Sequence, residues 1–182
     1  MASRKREYFT VFQTLLNYCK VVGTDIIYWV TETAMPNHQD DRQNQMLQIY
    51  ALEVAHQDDP SQVELAQKLT LDKDRPQMGL AGIYGLFGSP DWWTNLNAGR
   101  IPITEFTGII ETVQFSGMQN ESRSFTLRLT NGGRYTYTCV ANQKRDLKRY
   151  RQGRKVTVIA FTEKLKRGED LEMVWSIEIE SA

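Results

Sequence analysis

The sequence predicts an α+β protein in which a helical N-terminal half packs on a C-terminal antiparallel barrel of five strands. Three observations predict it. Apolar residues of the first part recur at helical spacing, apolar and polar residues alternate over much of residues 103–179, and one basic helical segment interrupts that alternation. The predicted regions are therefore a helical region at 1–77, a connector rich in Gly and Trp at 78–102, and a barrel at 103–182.

Helical spacing of apolar residues defines the N-terminal region. We predict one helix over about residues 7–22 and a second over about 40–55, each with one apolar face. The apolar face of the second helix consists of Met46, Leu47, Ile49, Tyr50 and Val54. Residues 26–30 are apolar and suit either a buried strand or a buried helix. Asp59 and Pro60 are typical of an N-cap and a first helical position, so a short helix is expected to follow them.

The connector combines closely spaced glycines with a short helix. Residues 78–88 intersperse Gly with apolar side chains, which is typical of backbone that packs closely against another element. Ser89 and Pro90 predict the start of a helix that Gly99 ends. The large aromatic side chains here form either core or a patch for protein interaction, and they are Phe87, Trp92 and Trp93.

Five strands are predicted from the alternation that follows. The first covers residues 104–115 with Gly108 at a bend, an Asn131-Gly132 turn joins the second and third, and a loop around Gly168 joins the last two. A helix over about residues 143–152 separates the third strand from the fourth. The side chains expected to point outward from the second and third strands are Thr126, Arg128, Thr130, Arg134, Thr136 and Thr138.

This order of strands and helix resembles the OB-fold over residues 103–179, by pattern and order and without a diagnostic motif. An SH3-like barrel is the nearest rival, although it would not ordinarily place a full helix there. The resemblance implies a surface on the second and third strands that binds single-stranded nucleic acid or oligosaccharide. Tyr135 and Tyr137 fall in the inward phase, which leaves that surface without aromatic platforms for stacking unless a one-residue bulge turns them outward.

Basic charge is concentrated in one segment. Residues 1–100 carry 9 Lys and Arg against 12 Asp and Glu, whereas residues 101–182 carry 13 against 10. Seven cations fall within twelve residues, and they are Lys144, Arg145, Lys148, Arg149, Arg151, Arg154 and Lys155. Such a cluster suits binding of a polyanion, docking on the acidic N-terminal half, or a solvated helix face. The candidate ligand-binding residues are Arg128, Arg134, Thr136, Lys144, Arg145, Lys148, Arg149 and Arg151.

Patterns for catalysis or metal binding are weak. His38 and His56 each precede Gln-Asp-Asp, but Asp residues near helix starts are normally caps, and no third metal ligand is identifiable. Cys19 and Cys139 are expected to be buried thiols, as is usual in a reducing cytoplasm. The apolar stretch 8–30 is too polar for a membrane span.

The sequence thus predicts a cytoplasmic, non-enzymatic binding module without a cofactor, a metal or a membrane partner. Single-stranded nucleic acid is the predicted ligand class, through the barrel face and the basic helix. The main alternative is a protein-interaction or oligomerisation module with the patch of Phe87, Trp92 and Trp93 as its contact. Oligosaccharide binding is the second alternative.

Overall fold

A computed structural model of the chain describes residues 45–116 and 122–181. The strands are β1 (Met46–Ala51), β2 (Ile103–Ser116), β3 (Ser122–Leu129), β4 (Arg134–Thr138), β5 (Lys155–Lys164) and β6 (Asp170–Glu180). The helices are α1 (Leu52–Asp58), α2 (Pro60–Leu71) and α3 (Pro90–Asn97), and a 3₁₀ helix spans Lys144–Arg149. The predicted α+β class is therefore confirmed. Among these helices none is long and apolar enough to cross a membrane.

One antiparallel sheet contains all six strands, in the order β1-β6-β5-β2-β3-β4. Within the described ranges, β1 and β4 are its two edges and no strand pairing joins them. The prediction of a closed barrel with five strands is therefore wrong in closure and in strand number, because β1 adds a sixth strand beside β6. The OB-fold resemblance is reduced to a small antiparallel sheet with a barrel-like strand order.

β1 corrects the predicted helix over residues 40–55. The segment Met46–Ala51 is extended and pairs antiparallel with β6, and only Leu52–Asp58 is helical. Three successive residues at its end, from Ile49 to Ala51, are buried, so the apolar pattern suits either structure and pairing with β6 decides it. The predicted helix at 7–22 and the apolar segment at 26–30 lie outside the described residues.

Asn142, which lies in the segment after β4, hydrogen-bonds the edge strand β1. Its backbone N–H donates to the carbonyl of Ile49 at 3.0 Å, and its side-chain Nδ2 donates to the carbonyl of Ala51 at 2.9 Å. Its Oδ1 accepts from the backbone N–H of Ala51 at 2.6 Å. These bonds satisfy backbone groups of an edge strand that would otherwise be left open.

The strand phases predicted for β3 and β4 are confirmed. Leu127 pairs with Tyr135 on the buried face, and Arg128 pairs with Arg134 on the outward face. Gly108 of β2 is required by close packing, since a Cβ atom there would lie 2.4 Å from the carbonyl oxygen of Arg128. The predicted α-helix over residues 143–152 is instead a 3₁₀ helix of six residues.

Two buried clusters lie on opposite faces of the sheet. Val174 belongs to one and its neighbour Met173 to the other, because successive residues of a strand point to opposite faces. Helical residues including Leu52, Ala66 and Trp92 pack on the Met173 side. The three α-helices therefore cover one face of the sheet.

Candidate functional site

The outward face of β3 and β4 carries the predicted Thr/Arg surface. Thr126 and Thr136 are hydrogen-bonded through their hydroxyls at 2.9 Å. Arg134 binds the carboxylate of Glu111 with two hydrogen bonds, from Nε to Oε2 at 2.6 Å and from Nη2 to Oε1 at 3.0 Å. Those hydrogen bonds lower the pKa of Glu111. Of the two predicted arginines, Arg134 is therefore neutralised within the chain, while Arg128 is exposed.

Tyr135 and Tyr137 take no part in that surface. Tyr135 stacks on Phe106 with ring centroids 3.9 Å apart, and it lies parallel to Tyr137 at 6.2 Å. Burial, together with the nearby Glu172 that accepts a hydrogen bond from its hydroxyl, raises the pKa of Tyr135. The predicted inward phase of both tyrosines is confirmed, and the Thr/Arg surface has no stacking platform from them.

The basic segment lines a cleft. Because Lys144–Arg149 form a 3₁₀ helix with about three residues per turn, basic side chains four positions apart do not share one face as they would in the predicted α-helix. A cavity of about 260 Å³, here called the basic cleft, is lined by Lys148, Arg149, Arg151, Arg154 and Glu180. Lys144 and Arg145 are exposed outside that lining, as are Arg128 and Arg134. The structure thus brings together only part of the predicted ligand-binding set.

The predicted aromatic patch is mostly core. Phe87 and Trp92 are 3% and 0% exposed, so neither offers a surface to a partner. The indole N–H of Trp92 donates to the carboxylate of Glu163 at 2.5 Å, and burial raises the pKa of Glu163. Successive residues of a helix point about 100° apart, which turns Trp93 away from Trp92. Trp93 is partly exposed and is the one member of the patch that reaches the surface.

A groove that the sequence did not indicate lies between α1, α2 and the start of α3. Its volume is about 370 Å³, and we call it the His56 groove. The side chains that give it chemical character are Glu53, His56, Gln57, Glu64, Gln67 and Trp93. The first turn of α3 places Trp93 there, because the Ser89 hydroxyl accepts a hydrogen bond from the backbone N–H of Trp92 and caps that helix.

His56 forms the inner wall of the groove. Its ring lies edge-on to Phe87 at 5.0 Å and to Trp93 at 5.7 Å between centroids. Its Nδ1 is buried and has no hydrogen-bond partner among the described residues, and burial lowers its pKa to about 4. Gly88 closes over the ring: its φ is +72°, and a Cβ atom there would lie 2.7 Å from Cγ1 of Val63.

The cap predicted at Asp59 is not formed, and no metal-binding cluster includes His56 in the described residues. No group of three or more His, Cys, Asp or Glu within residues 45–116 and 122–181 is arranged to hold a metal ion. Asp59 precedes α2 as expected but makes no side-chain cap bond, and it accepts instead from the Ser61 hydroxyl. His38 and Cys19 lie outside the described part of the chain.

The comparisons with known proteins place the chain in one family. A family model described as immunity protein RhsI2 matches residues 46–176, which is most of the chain. The chain belongs to the RhsI2 immunity protein family. No match is found among curated proteins. The matched range runs from β1 into β6 and includes every residue that lines the His56 groove.

Membership of this family corrects the predicted ligand. An immunity protein points to a protein partner, so the hypothesis of single-stranded nucleic-acid binding through an OB-fold is wrong. The Thr/Arg surface agrees with that correction, since Tyr135 and Tyr137 face inward and give it no platform on which bases stack. The predicted alternative, protein interaction, is the class that the family supports.

Proposed function

We propose that this protein neutralises a toxin protein by binding it directly, as a non-catalytic inhibitor. The observation that carries the proposal is the match to the RhsI2 immunity protein model over residues 46–176. That range contains β1 to β5, the three α-helices and much of β6. The similarity therefore extends over a folded scaffold and not over one short motif.

The buried positions of two side chains that often act in catalysis support inhibition by contact. The thiol of Cys139 is buried, and burial raises its pKa to about 12, so it stays protonated at neutral pH and is a poor nucleophile. Glu163 is buried and held by the indole of Trp92 beneath α3. We also propose a cytoplasmic location, where a free thiol such as Cys139 remains reduced.

The charge of one surface supports recognition of a protein. Residues 52–71, which form α1 and α2, carry four Asp and Glu and one Lys. A surface of defined sign steers association and selects among partners.

The test combines protection with direct binding. Toxin domains from the same genome are each produced from an inducible promoter in cells with or without this protein, and growth is recorded. For the toxin that is neutralised, an inactive variant is mixed with the purified protein, and the mass of the mixture is measured by size-exclusion chromatography with light scattering. We expect growth to be restored against one toxin and a stable complex to form with it. Protection without a complex, or no protection against any toxin, would overturn the proposal.

A further inference from the structure

The His56 groove combines the features that bind a basic side chain. Glu53 of α1 and Glu64 of α2 both line it, so carboxylates from two helices face one cavity. Trp93 contributes an indole, whose π face attracts a cation. Within residues 45–116 and 122–181, no Lys or Arg lines this cavity. A cation inside it would meet two negative charges and an aromatic ring, with no basic side chain in the lining to compete.

The charge of the groove is not cancelled by its histidine. His56 has its pKa lowered to about 4 by burial, and it is therefore neutral at pH 7. Burial also raises the pKa of Glu53, which means that its carboxylate is partly desolvated. A partly desolvated carboxylate gains more from an opposite charge than one in bulk water does.

We propose that the His56 groove is the site at which the toxin inserts a Lys or Arg side chain. The inference rests on the proposed function and names the residue chemistry that this surface selects. The aliphatic stem of the side chain lies along Val63 and Trp93, while its charged end reaches Glu53 and Glu64. A rigid aromatic residue beside a pocket for a long side chain is a common arrangement at binding hot spots.

The basic cleft is the rival surface, and two of its arginines already have hydrogen-bond partners within the chain. Nε of Arg149 bonds Asp146 at 2.8 Å, and Nη1 of Arg154 bonds the carbonyl of Ser181 at 2.9 Å. The cleft also contains Glu180, which lies beyond the range matched by the family model. The His56 groove lies wholly inside that range and is the larger cavity.

The experiment measures affinity for an inactive variant of the neutralised toxin by titration calorimetry at low and moderate salt. Glu53→Gln combined with Glu64→Gln removes both charges and keeps the shape of the side chains. The matched control, Glu105→Gln with Glu178→Gln, removes two charges from the sheet. We expect the groove double variant to raise Kd at least tenfold and the control to change it less than threefold. Urea unfolding midpoints establish that all variants are folded.

Three further measurements separate this inference from the proposed function. Trp93→Ala is expected to raise Kd at least tenfold, and the indole N–H signal of Trp93 in the wild-type protein should shift when toxin is added. Lys148→Glu with Arg151→Glu should leave Kd within threefold. If wild-type protein binds toxin but the groove variants bind as tightly, or only the basic-cleft variant weakens binding, the inference is wrong and the proposed function stands. If the wild-type protein binds no toxin, both the inference and the proposed function are wrong.

Discussion

His56 shows how tertiary packing sets the charge of one side chain. In the sequence it precedes Gln57, Asp58 and Asp59, and nearby carboxylates would favour a protonated imidazole. In the folded protein the ring lies against Phe87 and Trp93, and desolvation dominates, so the pKa falls to about 4. The residues next to His56 do not indicate that its ring is buried, because Phe87 and Trp93 lie more than thirty positions away in the sequence.

The lowered pKa of His56 predicts a specific loss of stability in mild acid. An unfolded imidazole has a pKa of 6.5, so the unfolded state takes up this proton first as the pH falls. The stability that the neutral imidazole of His56 contributes to the folded state is therefore fully present above pH 6.5. It is lost as the pH drops from 6.5 towards 4. Between pH 7 and pH 5 we expect this group to lower the free energy of unfolding by about 2 kcal/mol.

Urea unfolding at the two pH values checks this expectation. His56→Leu removes the titrating group, so its loss of stability between pH 7 and pH 5 should be smaller than that of the wild type by about 2 kcal/mol. The imidazole signals of His56 should titrate with a midpoint near 4. A midpoint near 6.5, with equal acid sensitivity in both proteins, would show that the ring is solvated.

Half-buried strands that are bounded by turn residues could be predicted from the sequence. An element whose structure depends on pairing with a strand far along the chain could not. The strands β2 to β6 alternate apolar and polar residues and are bounded by turn residues such as Asn131-Gly132, so the sequence predicts them. β1 has a run of buried residues that fits a helix equally well, and its partner β6 lies more than 120 residues later in the chain. The segment Lys144–Arg149 has a polar composition that suits an α-helix, but it forms the tighter turns of a 3₁₀ helix.

The bridge made by Asn142 gives a test of how the edge strand β1 is held. Asn142→Ala removes the two side-chain hydrogen bonds to the backbone of Ala51, an amide N–H and a carbonyl on the edge of the sheet. Loss of such partners costs about 1–3 kcal/mol, so the free energy of unfolding should fall by that amount. Hydrogen exchange of the Ala51 amide should accelerate at least tenfold.

Gln143→Ala is the matched control for Asn142. Gln143 is the adjacent residue and is exposed, so its truncation should leave both the unfolding free energy and the exchange of the Ala51 amide close to those of the wild type. Equal exchange rates in the Asn142→Ala and Gln143→Ala proteins would mean that Ala51 is protected by something other than this side chain.

At the scale of the whole molecule, the proposed binding surface could not be predicted from the sequence because it is assembled from separate elements. The His56 groove takes residues from α1, from α2 and from the region around the start of α3, which only the packing of the helices on the sheet brings together. The basic segment could be recognised because its cations are contiguous, yet contiguity did not reveal that Asp146 and Ser181 engage two of them. The division into regions at 1–77, 78–102 and 103–182 stays a prediction.

That division can be tested through Tyr50, which lies in β1 within the first region. Tyr50 is 1% exposed and belongs to the same buried cluster as Phe125 of β3 and Ile177 of β6. Because one cluster spans these strands, Tyr50→Ala should lower the free energy of unfolding by about 3–5 kcal/mol. The slowest-exchanging amides of β1, β3 and β6 should lose protection to the same extent, as they do when strands unfold as one cooperative unit.

Gln48→Ala, an exposed position in the same strand, should change the unfolding free energy by less than about 0.5 kcal/mol. Loss of protection confined to β1 would instead show that residues 1–77 and 103–182 unfold separately.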